Sequence, residues 1–369
     1  MTLSSNLAPS YITAIAPYQG GRPISEIARQ FGIDEADIVK LASNENPLGI
    51  SPKAQMAIDN ALLDIARYPD GNSFALREAV SQKFNVAPTQ IVFGNGSNDI
   101  LELTARAFLQ VDDEVIYSQH AFAVYALVTQ AVGAKGVVVP AQAFAHDLDG
   151  FLKAITPKTR LIFIANPNNP TGTLINKESL KAFLKQVPSH VSVILDEAYD
   201  EYLSADNKSD AIAWLGDFDN LIISRTFSKA YGLAGLRVGF GLMHADVADI
   251  LNRVRQPFNV NSLAQAAAVA SLADDDFVEK SYAANQAGML QLTQGLDHLN
   301  LTYIKSYANF ISFAIKDAAA VNQKLLERGI IVRPITNYEL SDYLRVSIGL
   351  FSENQRFLEA LAIIVKDND

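Results

Sequence analysis

The stretch Ser224-Arg-Thr-Phe-Ser-Lys229-Ala-Tyr-Gly-Leu-Ala-Gly-Leu-Arg237-Val-Gly239 follows a predicted apolar strand and forms a turn that contains one lysine. Three glycines and Arg237 follow that lysine within the same stretch. An ammonium group resists burial unless it is paired or its pKa is lowered. Lys229 is therefore better explained as a nucleophile toward an aldehyde than as a packing residue, although a solvated lysine after a strand would give the same pattern.

The neighbours of Lys229 predict which ligand carries that aldehyde. Thr226, Ser228 and Arg237 offer hydroxyl groups and a guanidinium, which suit the oxygens of a phosphate. A phosphorylated aldehyde that reacts with a lysine is pyridoxal 5′-phosphate. The sequence therefore predicts a site for this cofactor.

Short apolar runs alternate with helix-length segments from about residue 91 onward. The runs cover residues 91–93, 114–117, 136–139, 161–165, 191–195, 221–223 and 238–242. This pattern predicts an α/β fold with a mainly parallel seven-stranded sheet that is covered on both faces. Because ligands of such sheets bind at the carboxyl ends of the strands, residues just after each run are candidate site residues.

Four further strand ends carry side chains that suit the same ligand. Gly94-Asn-Gly-Ser97-Asn98 opens a predicted helix, whose free N–H groups can bind a phosphate. Phe122 can stack on a flat ring, and Asn169, in Asn166-Pro-Asn-Asn-Pro-Thr-Gly172, offers an amide. Asp196, in Asp196-Glu-Ala-Tyr199, offers a carboxylate to a protonated pyridine nitrogen. Each of these has a simpler explanation as a helix cap or a core residue, but together with Lys229 they predict one ligand.

Composition restricts the class of protein. The net charge of −10 disfavours non-specific nucleic-acid binding. The absence of cysteine excludes disulfides and thiolate metal sites, and no metal site is predicted. No apolar stretch is long enough to span a membrane, and residues 1–10 do not resemble a signal peptide, so a cytoplasmic protein is expected.

A smaller α+β domain is predicted at the C-terminal end. Strand patterns cover residues 310–314, 330–332 and 343–348, and helical patterns cover residues 274–298, 318–328 and 353–366. Arg333 and Arg345 interrupt apolar strands there, and two such arginines suggest a pair of anion sites.

The chain of 369 residues is long enough for two domains. We expect residues 1–45 to form an N-terminal arm and part of the small domain, and residues 46–272 to form the large cofactor-binding domain. Residues 273–369 then form the small domain, which begins with a long helix between the two.

These motifs resemble those of the fold type I pyridoxal-phosphate aminotransferases over nearly the whole chain. The resemblance rests on Asn166-Pro-Asn-Asn-Pro-Thr-Gly172, Asp196-Glu-Ala-Tyr199, Ser228-Lys229 and Arg237. Within class II of that family, the sequence is most similar to the histidinol-phosphate branch. That similarity rests on Ala16-Pro-Tyr18, Leu41-Ala-Ser-Asn-Glu-Asn-Pro-Leu-Gly49, Arg67-Tyr-Pro-Asp70, Ile331-Val-Arg-Pro334 and Leu344-Arg-Val-Ser-Ile-Gly349.

The resemblance implies roles for the cofactor-binding residues. Lys229 forms a Schiff base with the cofactor and moves a proton, and Asp196 pairs with the pyridine nitrogen. Asn169 and Tyr199 bond the phenolic oxygen, while Phe122 stacks on the ring where many relatives have tyrosine. The implied phosphate ligands are Ser97, Asn98, Thr226, Ser228 and Arg237.

The resemblance also implies substrates and a partner. Arg345 binds the α-carboxylate of glutamate, Arg333 and Tyr18 face the phosphate of histidinol phosphate, and Asn46 is a further candidate for substrate binding. Tyr68 reaches the cofactor phosphate of the other subunit, which implies a homodimer. The implied reaction is a ping-pong transamination in L-histidine biosynthesis, in which histidinol phosphate and 2-oxoglutarate give imidazole-acetol phosphate and L-glutamate.

Four alternatives remain open. An aromatic-amino-acid aminotransferase of the same fold shares most of the motifs, and a threonine-phosphate decarboxylase would release carbon dioxide. A nicotinamide oxidoreductase would lack its glycine fingerprint here and would leave Lys229 unexplained. A ligand-sensing regulator would need a DNA-binding segment ahead of this domain, and the N-terminal arm is too short and acidic for one.

Overall fold

The structure is a computed structural model that describes residues 7–18 and 20–367. The outermost residues of the predicted arm and of the predicted small domain, together with most of the stretch tested for a signal peptide, lie outside this range. The strands are β1 Val39–Lys40, β2 Ile91–Gly94, β3 Glu114–Ser118, β4 Lys135–Val139, β5 Thr159–Ala165, β6 Ser192–Asp196, β7 Leu221–Thr226, β8 Gly239–Met243, β9 Tyr303–Ile304, β10 Phe310–Ala314, β11 Ile330–Ile331, β12 Arg333–Ile335 and β13 Leu340–Ser347.

The helices occupy the segments between these strands and follow the last of them. They are α1 Ser10–Thr13, α2 Ile24–Phe31, α3 Pro52–Ala61, α4 Phe74–Phe84, α5 Ser97–Phe108, α6 Ala123–Ala131, α7 Leu148–Ala154, α8 Lys177–Leu184, α9 Ala245–Val254, α10 Ser262–Leu272, α11 Asp275–His298, α12 Ala318–Leu326 and α13 Phe351–Lys366. None of the described helices is both long and apolar enough to cross a membrane.

The largest sheet has seven strands in the order β2-β8-β7-β6-β5-β3-β4. Only β8 is antiparallel to its neighbours, and the other pairings are parallel. Each of the seven predicted apolar runs is one of these strands, so the predicted mainly parallel sheet is confirmed. Because the other six strands run in one direction, their carboxyl ends meet along one edge, where a ligand site is expected.

Both faces of this sheet are buried, as the continuous apolar runs predict. Ile162 and Ile164 of β5 belong to the core cluster on one face, together with helices α3, α4, α8 and α10. Leu161 and Phe163 of the same strand belong to the cluster on the other face. Successive side chains of a strand point to opposite faces, so a strand buried on both sides needs apolar residues without interruption.

The C-terminal part forms a second layer of structure with its own core. Strands β12, β13, β10 and β9 form an antiparallel sheet, and helices α11, α12 and α13 pack on it. The N-terminal segment joins this part, because β1 pairs in parallel with β11. In the four-stranded sheet Arg333 of β12 lies directly opposite Arg345 of β13.

Two local predictions differ from the structure. The helix expected from about Ile100 begins at Ser97, because Gly96 caps it with a φ of 88°. Ser97 and Asn98 therefore lie in the first helical turn, where backbone N–H groups are free. The strand expected over residues 330–332 is divided: β11 pairs with β1, and β12 begins at Arg333 in the four-stranded sheet.

Candidate active site

A cavity opens at the carboxyl ends of the central strands, between the large sheet and the C-terminal part. It is lined by all the candidate site residues named from the sequence except Asn46 and Tyr68. These lining residues are Tyr18, Ser97, Asn98, Phe122, Asn169, Asp196, Tyr199, Thr226, Ser228, Lys229, Arg237, Arg333 and Arg345. The structure thus brings together residues that are far apart in the chain.

Lys229 lies in the turn after β7 and lines the cavity. Its Nζ donates a hydrogen bond to the carbonyl oxygen of Ser43 at 3.1 Å and lies 5.8 Å from the ring centre of Tyr199. Burial, aided by the positive charge of Arg345, lowers the pKa of Lys229 to about 8. At pH 7.5 this shift raises the neutral, nucleophilic fraction from about 0.1% to about a quarter.

Asp196 ends β6 and carries an unused hydrogen-bond acceptor. Its Oδ2 accepts a hydrogen bond from the Tyr125 hydroxyl at 2.9 Å, whereas the buried Oδ1 has no partner. Burial raises the pKa of Asp196 to about 6, against the opposing effect of the Tyr125 hydroxyl. A buried polar atom without a partner is costly, so Oδ1 is suited to a ligand that donates a hydrogen bond.

Tyr199 and Asn44 form a second polar pair in the cavity wall. The Tyr199 hydroxyl accepts a hydrogen bond from the Asn44 side-chain amide at 3.0 Å, and its ring packs edge-on against Phe310 at 5.4 Å. Burial raises the pKa of Tyr199 to about 12, so this hydroxyl keeps its proton at neutral pH. Tyr199 can therefore donate a hydrogen bond to an anionic oxygen.

The glycine-rich turn and Arg237 form one anion-binding surface. The guanidinium of Arg237 lies so close to Gly96 that a Cβ there would come within 2.4 Å of Nη2. Arg237 also donates to the Ser228 hydroxyl at 3.3 Å, and the Ser228 N–H donates to the Thr226 hydroxyl at 3.1 Å. The hydroxyls, the guanidinium and the N-terminus of α5 converge as a phosphate requires.

Arg333 and Arg345 face the cavity from the C-terminal sheet. Arg345 donates to the Asn169 side-chain oxygen at 2.5 Å and to the carbonyl oxygen of Ala42 at 2.9 Å, and its buried Nε has no partner. Arg333 lies over the ring of Tyr18, 5.7 Å from its centre. Like charges that face each other across a sheet destabilise it, so this cationic pair is suited to anionic ligands.

Two candidate residues do not line the cavity. The amide of Asn46 donates to the carbonyl oxygen of Ala230 and to the Ser281 hydroxyl, both at 2.8 Å. Tyr68 is 83% exposed and stacks on Phe258 at 4.8 Å, so the structure places it on the outer surface of this chain.

Several lining residues were not predicted from the sequence, among them Tyr125, Asn44 and Tyr338. Tyr125 lies three residues after Phe122, and Asn44 lies within the stretch Leu41–Gly49. Nothing in their spacing indicates contact with Asp196 or Tyr199. Tyr338 follows β12 and had no signal in the sequence.

The residues present fit pyridoxal phosphate. The free Oδ1 of Asp196 matches a protonated ring nitrogen, and the surface at Gly96 and Arg237 matches a phosphate. Phe122, which contacts Tyr125 edge-on at 5.8 Å, offers a ring for stacking. Among the described residues no group of side chains could hold a metal ion.

Comparisons with known proteins extend over almost the entire chain. The family model for aminotransferases of class I and II matches residues 36–361. The chain is 67% identical over 366 residues to the histidinol-phosphate aminotransferase of Methylobacillus flagellatus, with 99% of each chain covered. It is 57% identical over 365 residues to histidinol-phosphate aminotransferase 2 of Nitrosospira multiformis, with 99% of this chain and 93% of the relative covered.

The fold matches solved structures as well. The crystal structure of histidinol-phosphate aminotransferase from Sinorhizobium meliloti in complex with pyridoxal-5′-phosphate superposes on this chain with a TM-score of 0.90. That match covers 98% of both chains at 27% sequence identity.

Proposed function

The chain belongs to the family of class I and class II aminotransferases, and we propose that it transfers the amino group of histidinol phosphate to 2-oxoglutarate with pyridoxal phosphate as cofactor. The products are imidazole-acetol phosphate and L-glutamate, as expected for an enzyme of L-histidine biosynthesis in the cytoplasm. The relative that is 67% identical over almost the whole chain supports this substrate. The aromatic-amino-acid alternative is not favoured.

When bound, pyridoxal phosphate withdraws electrons from the substrate carbon that loses its proton. The unpaired Oδ1 of Asp196 would hold the ring nitrogen in its protonated form, which strengthens that withdrawal. Asn169 and Tyr199 would hold the phenolic oxygen, and Phe122 would stack on the ring. Ser97, Asn98, Thr226, Ser228 and Arg237 would bind the phosphate, in the surface described above.

Lys229 has two tasks in this proposal. Its amine would hold the cofactor through the aldehyde group, and once free of the cofactor it would accept and return the proton of the substrate carbon next to the amino group. Both tasks need a neutral amine at working pH, and the pKa lowered to about 8 supplies one. Nζ donates a hydrogen bond to the Ser43 carbonyl oxygen, and both residues line the cavity.

The opposed pair Arg333 and Arg345 is the observation that carries the substrate assignment. Histidinol phosphate has a phosphate ester where glutamate has its α-carboxylate, so one site must accept two different anions. We assign Arg345 to the carboxylate, and Arg333 with Tyr18 to the phosphate. Guanidinium groups suit both anions because they donate paired hydrogen bonds.

Steady-state kinetics with 2-oxoglutarate as acceptor test the assignment. We expect kcat/KM for histidinol phosphate to exceed that for phenylalanine by at least about 100-fold, which is about 2.7 kcal/mol of transition-state discrimination. Comparable values for the two donors would overturn the assignment and indicate a broad aromatic aminotransferase.

A homodimer completes the proposal, with Tyr68 bound to the cofactor phosphate of the partner subunit. Tyr68 is 83% exposed, and Leu63, Ile65 and Phe74 near it are also exposed. Contiguous exposed apolar side chains are typical of an interface between proteins.

Hybrid dimers test the placement of Tyr68. The variants Lys229→Ala and Tyr68→Ala should each be impaired alone, whereas a mixture that exchanges subunits should regain activity. One site of each hybrid then has Lys229 from one subunit and Tyr68 from the other. A mixture that regains nothing, although the subunits have exchanged, would place Tyr68 outside the partner's site.

We also propose the division into a large domain over residues 46–272 and a small domain over residues 273–369 joined by the N-terminal arm. Its support is the separate C-terminal core, which includes Val39 and Leu41 from the N-terminal segment. The substrate arginines then belong to the small domain, and Lys229 belongs to the large one.

A further inference from the structure

A buried group of four charged side chains lies behind the active site; we call Arg225, Glu197, Asp200 and Glu201 the Arg225 cluster. Arg225 Nη2 lies 2.7 Å from Glu197 Oε2, and Nη1 lies 2.9 Å from Asp200 Oδ2 and 3.2 Å from Glu201 Oε1. Each of the four side chains is less than a tenth exposed. The second carboxylate oxygen of Glu197 accepts a hydrogen bond from the Ser209 hydroxyl at 2.7 Å.

The Arg225 cluster does not line the active-site cavity. Three of its members are nevertheless direct neighbours of cavity residues in the chain: Glu197 follows Asp196, Asp200 follows Tyr199, and Arg225 precedes Thr226. Successive residues of a strand point to opposite sides, so in β7 Thr226 faces the cavity and Arg225 points away from it. The carboxylates that follow β6 meet Arg225 on that other side.

Stability alone does not explain this arrangement. One guanidinium faces three carboxylates, and the further cation Lys208 lies 3.6 Å from Asp200 and is more than a third exposed. Burial raises the pKa of Glu197 to about 7 and also raises that of Glu201. Apolar side chains of similar volume often stabilise a core as well as a buried ion group does, because charges lose their hydration on burial.

We propose that the Arg225 cluster is a positioning device, which locks the ends of β6 and β7 together so that Asp196, Tyr199 and Thr226 meet the cofactor correctly. The guanidinium contacts all three carboxylates. It joins Arg225 of β7 to the three carboxylates that follow β6, beyond the backbone bond from the Glu197 N–H to the Ser224 carbonyl oxygen at 2.9 Å. This inference rests on the proposed roles of those three cofactor residues.

Such a positioning role has a physical reason: the catalytic rate depends steeply on the positions of the groups that hold the cofactor and substrate. A misplacement of about 1 Å can lower a rate by about 100-fold. A bidentate guanidinium fixes distance and direction, whereas a lysine ammonium is a point charge without fixed direction. Loss of the guanidinium should therefore change kcat and cofactor binding more than it changes substrate binding, because the substrate arginines lie on the C-terminal sheet.

The test uses the holoenzyme with Arg225→Lys and Glu197→Gln. Arg225→Lys keeps the positive charge and loses the planar guanidinium. Glu197→Gln keeps the shape of the side chain and one acceptor oxygen but removes the negative charge. Asp274→Asn is the matched control, because Asp274 is a similarly buried carboxylate that pairs with Lys53 at 3.1 Å, and it does not line the cavity. The measurements are melting temperature, kcat and KM, the dissociation constant of pyridoxal phosphate, and the pH midpoint of its visible absorption.

We expect both cluster variants to lower kcat by about tenfold or more, with KM for histidinol phosphate changed by less than about twofold. The dissociation constant of pyridoxal phosphate should rise, and the pH midpoint of its absorption should shift. Asp274→Asn should lower the melting temperature and leave the other quantities as in the wild type. If the cluster variants also change only the melting temperature, the cluster is structural and the proposal is wrong.

Two outcomes separate this inference from the proposed function. If Arg225→Lys does not fold, Glu197→Gln decides the matter alone, since its amide can still accept from Arg225 and donate to Ser209. If the wild-type protein does not bind pyridoxal phosphate at Lys229, as shown by borohydride reduction and peptide mapping, the proposed function fails. Normal labelling at Lys229 with unchanged cluster variants contradicts the positioning role only.

Discussion

The two halves of the active site are assembled in different ways. The cofactor half contains Asp196, Thr226 and Lys229, which lie at the ends of neighbouring strands of one sheet. The substrate half contains Arg333, Arg345 and Tyr18, which come from two strands of the C-terminal sheet and from the N-terminal arm. In the proposed function, chemistry and substrate choice are therefore supplied by separate parts of the fold.

The two halves also differ in charge. The cofactor half holds a carboxylate with an unpaired oxygen and a lysine whose pKa is lowered to about 8. The substrate half holds two guanidinium groups, those of Arg333 and Arg345. Variants of the cofactor half should thus change the rate with every substrate, whereas variants of the substrate half should change the preference among substrates.

The largest effect is expected for Lys229→Ala in the cofactor half. Turnover of histidinol phosphate and of glutamate should fall together by more than about 10⁴-fold, because nucleophile and proton carrier are lost at once. The variant should still fold and bind pyridoxal phosphate without a covalent bond. Stopped-flow half-reactions with each substrate measure the loss; normal turnover would remove Lys229 from its role.

Arg333→Ala should have the next largest effect, and it should be selective. Loss of a charge-assisted bidentate contact should weaken histidinol phosphate by about 2–4 kcal/mol and leave glutamate nearly unchanged. Separate half-reactions for the two amino donors measure the difference. Arg333→Lys is the control and should lose less, because it keeps the charge; equal losses for both donors would place Arg333 outside the phosphate site.

Asp196→Asn should lower kcat by about 10- to 150-fold with both donors, which corresponds to the loss of a hydrogen bond to a charged group. The amide keeps the shape of the side chain and removes its charge, so the ring nitrogen is no longer held protonated. KM values should change little. A selective loss with one donor would show that Asp196 contributes to substrate choice and that the two halves are not separate.

The last prediction concerns how the free energy of unfolding of the cofactor-free protein changes with pH. The pKa of Lys229 is about 8 in the folded chain and near 10.5 when unfolded. The unfolded state therefore binds more protons between these values, and the free energy of unfolding should rise with pH across this window by about 2–3 kcal/mol. Urea unfolding of wild type and Lys229→Met should differ in this rise, whereas Arg333→Met should retain it; an equal rise in all three would contradict the lowered pKa.

The cavity residues that could be predicted from the sequence are those whose position after a buried strand also places them at the edge of the sheet. Asp196 and Lys229 follow buried apolar strands, and an ionisable group at that place has few explanations other than a ligand. The role of Tyr125 could not be predicted, because its contact with Asp196 depends on how α6 packs against the sheet. Asn46 and Asn44 show the same limit. The sequence predicted Asn46, which does not line the cavity, and did not predict Asn44, which does.

Local patterns in the sequence predict the seven strands of the large sheet, the order of the strand-end residues along it and the two arginines of the C-terminal sheet. Three further features follow from tertiary packing alone: Arg333 faces Arg345, the Oδ1 of Asp196 is left without a partner, and Arg225 meets three carboxylates. These contacts join segments distant in the chain. They depend on the packing of whole helices and sheets, which no short stretch of sequence specifies.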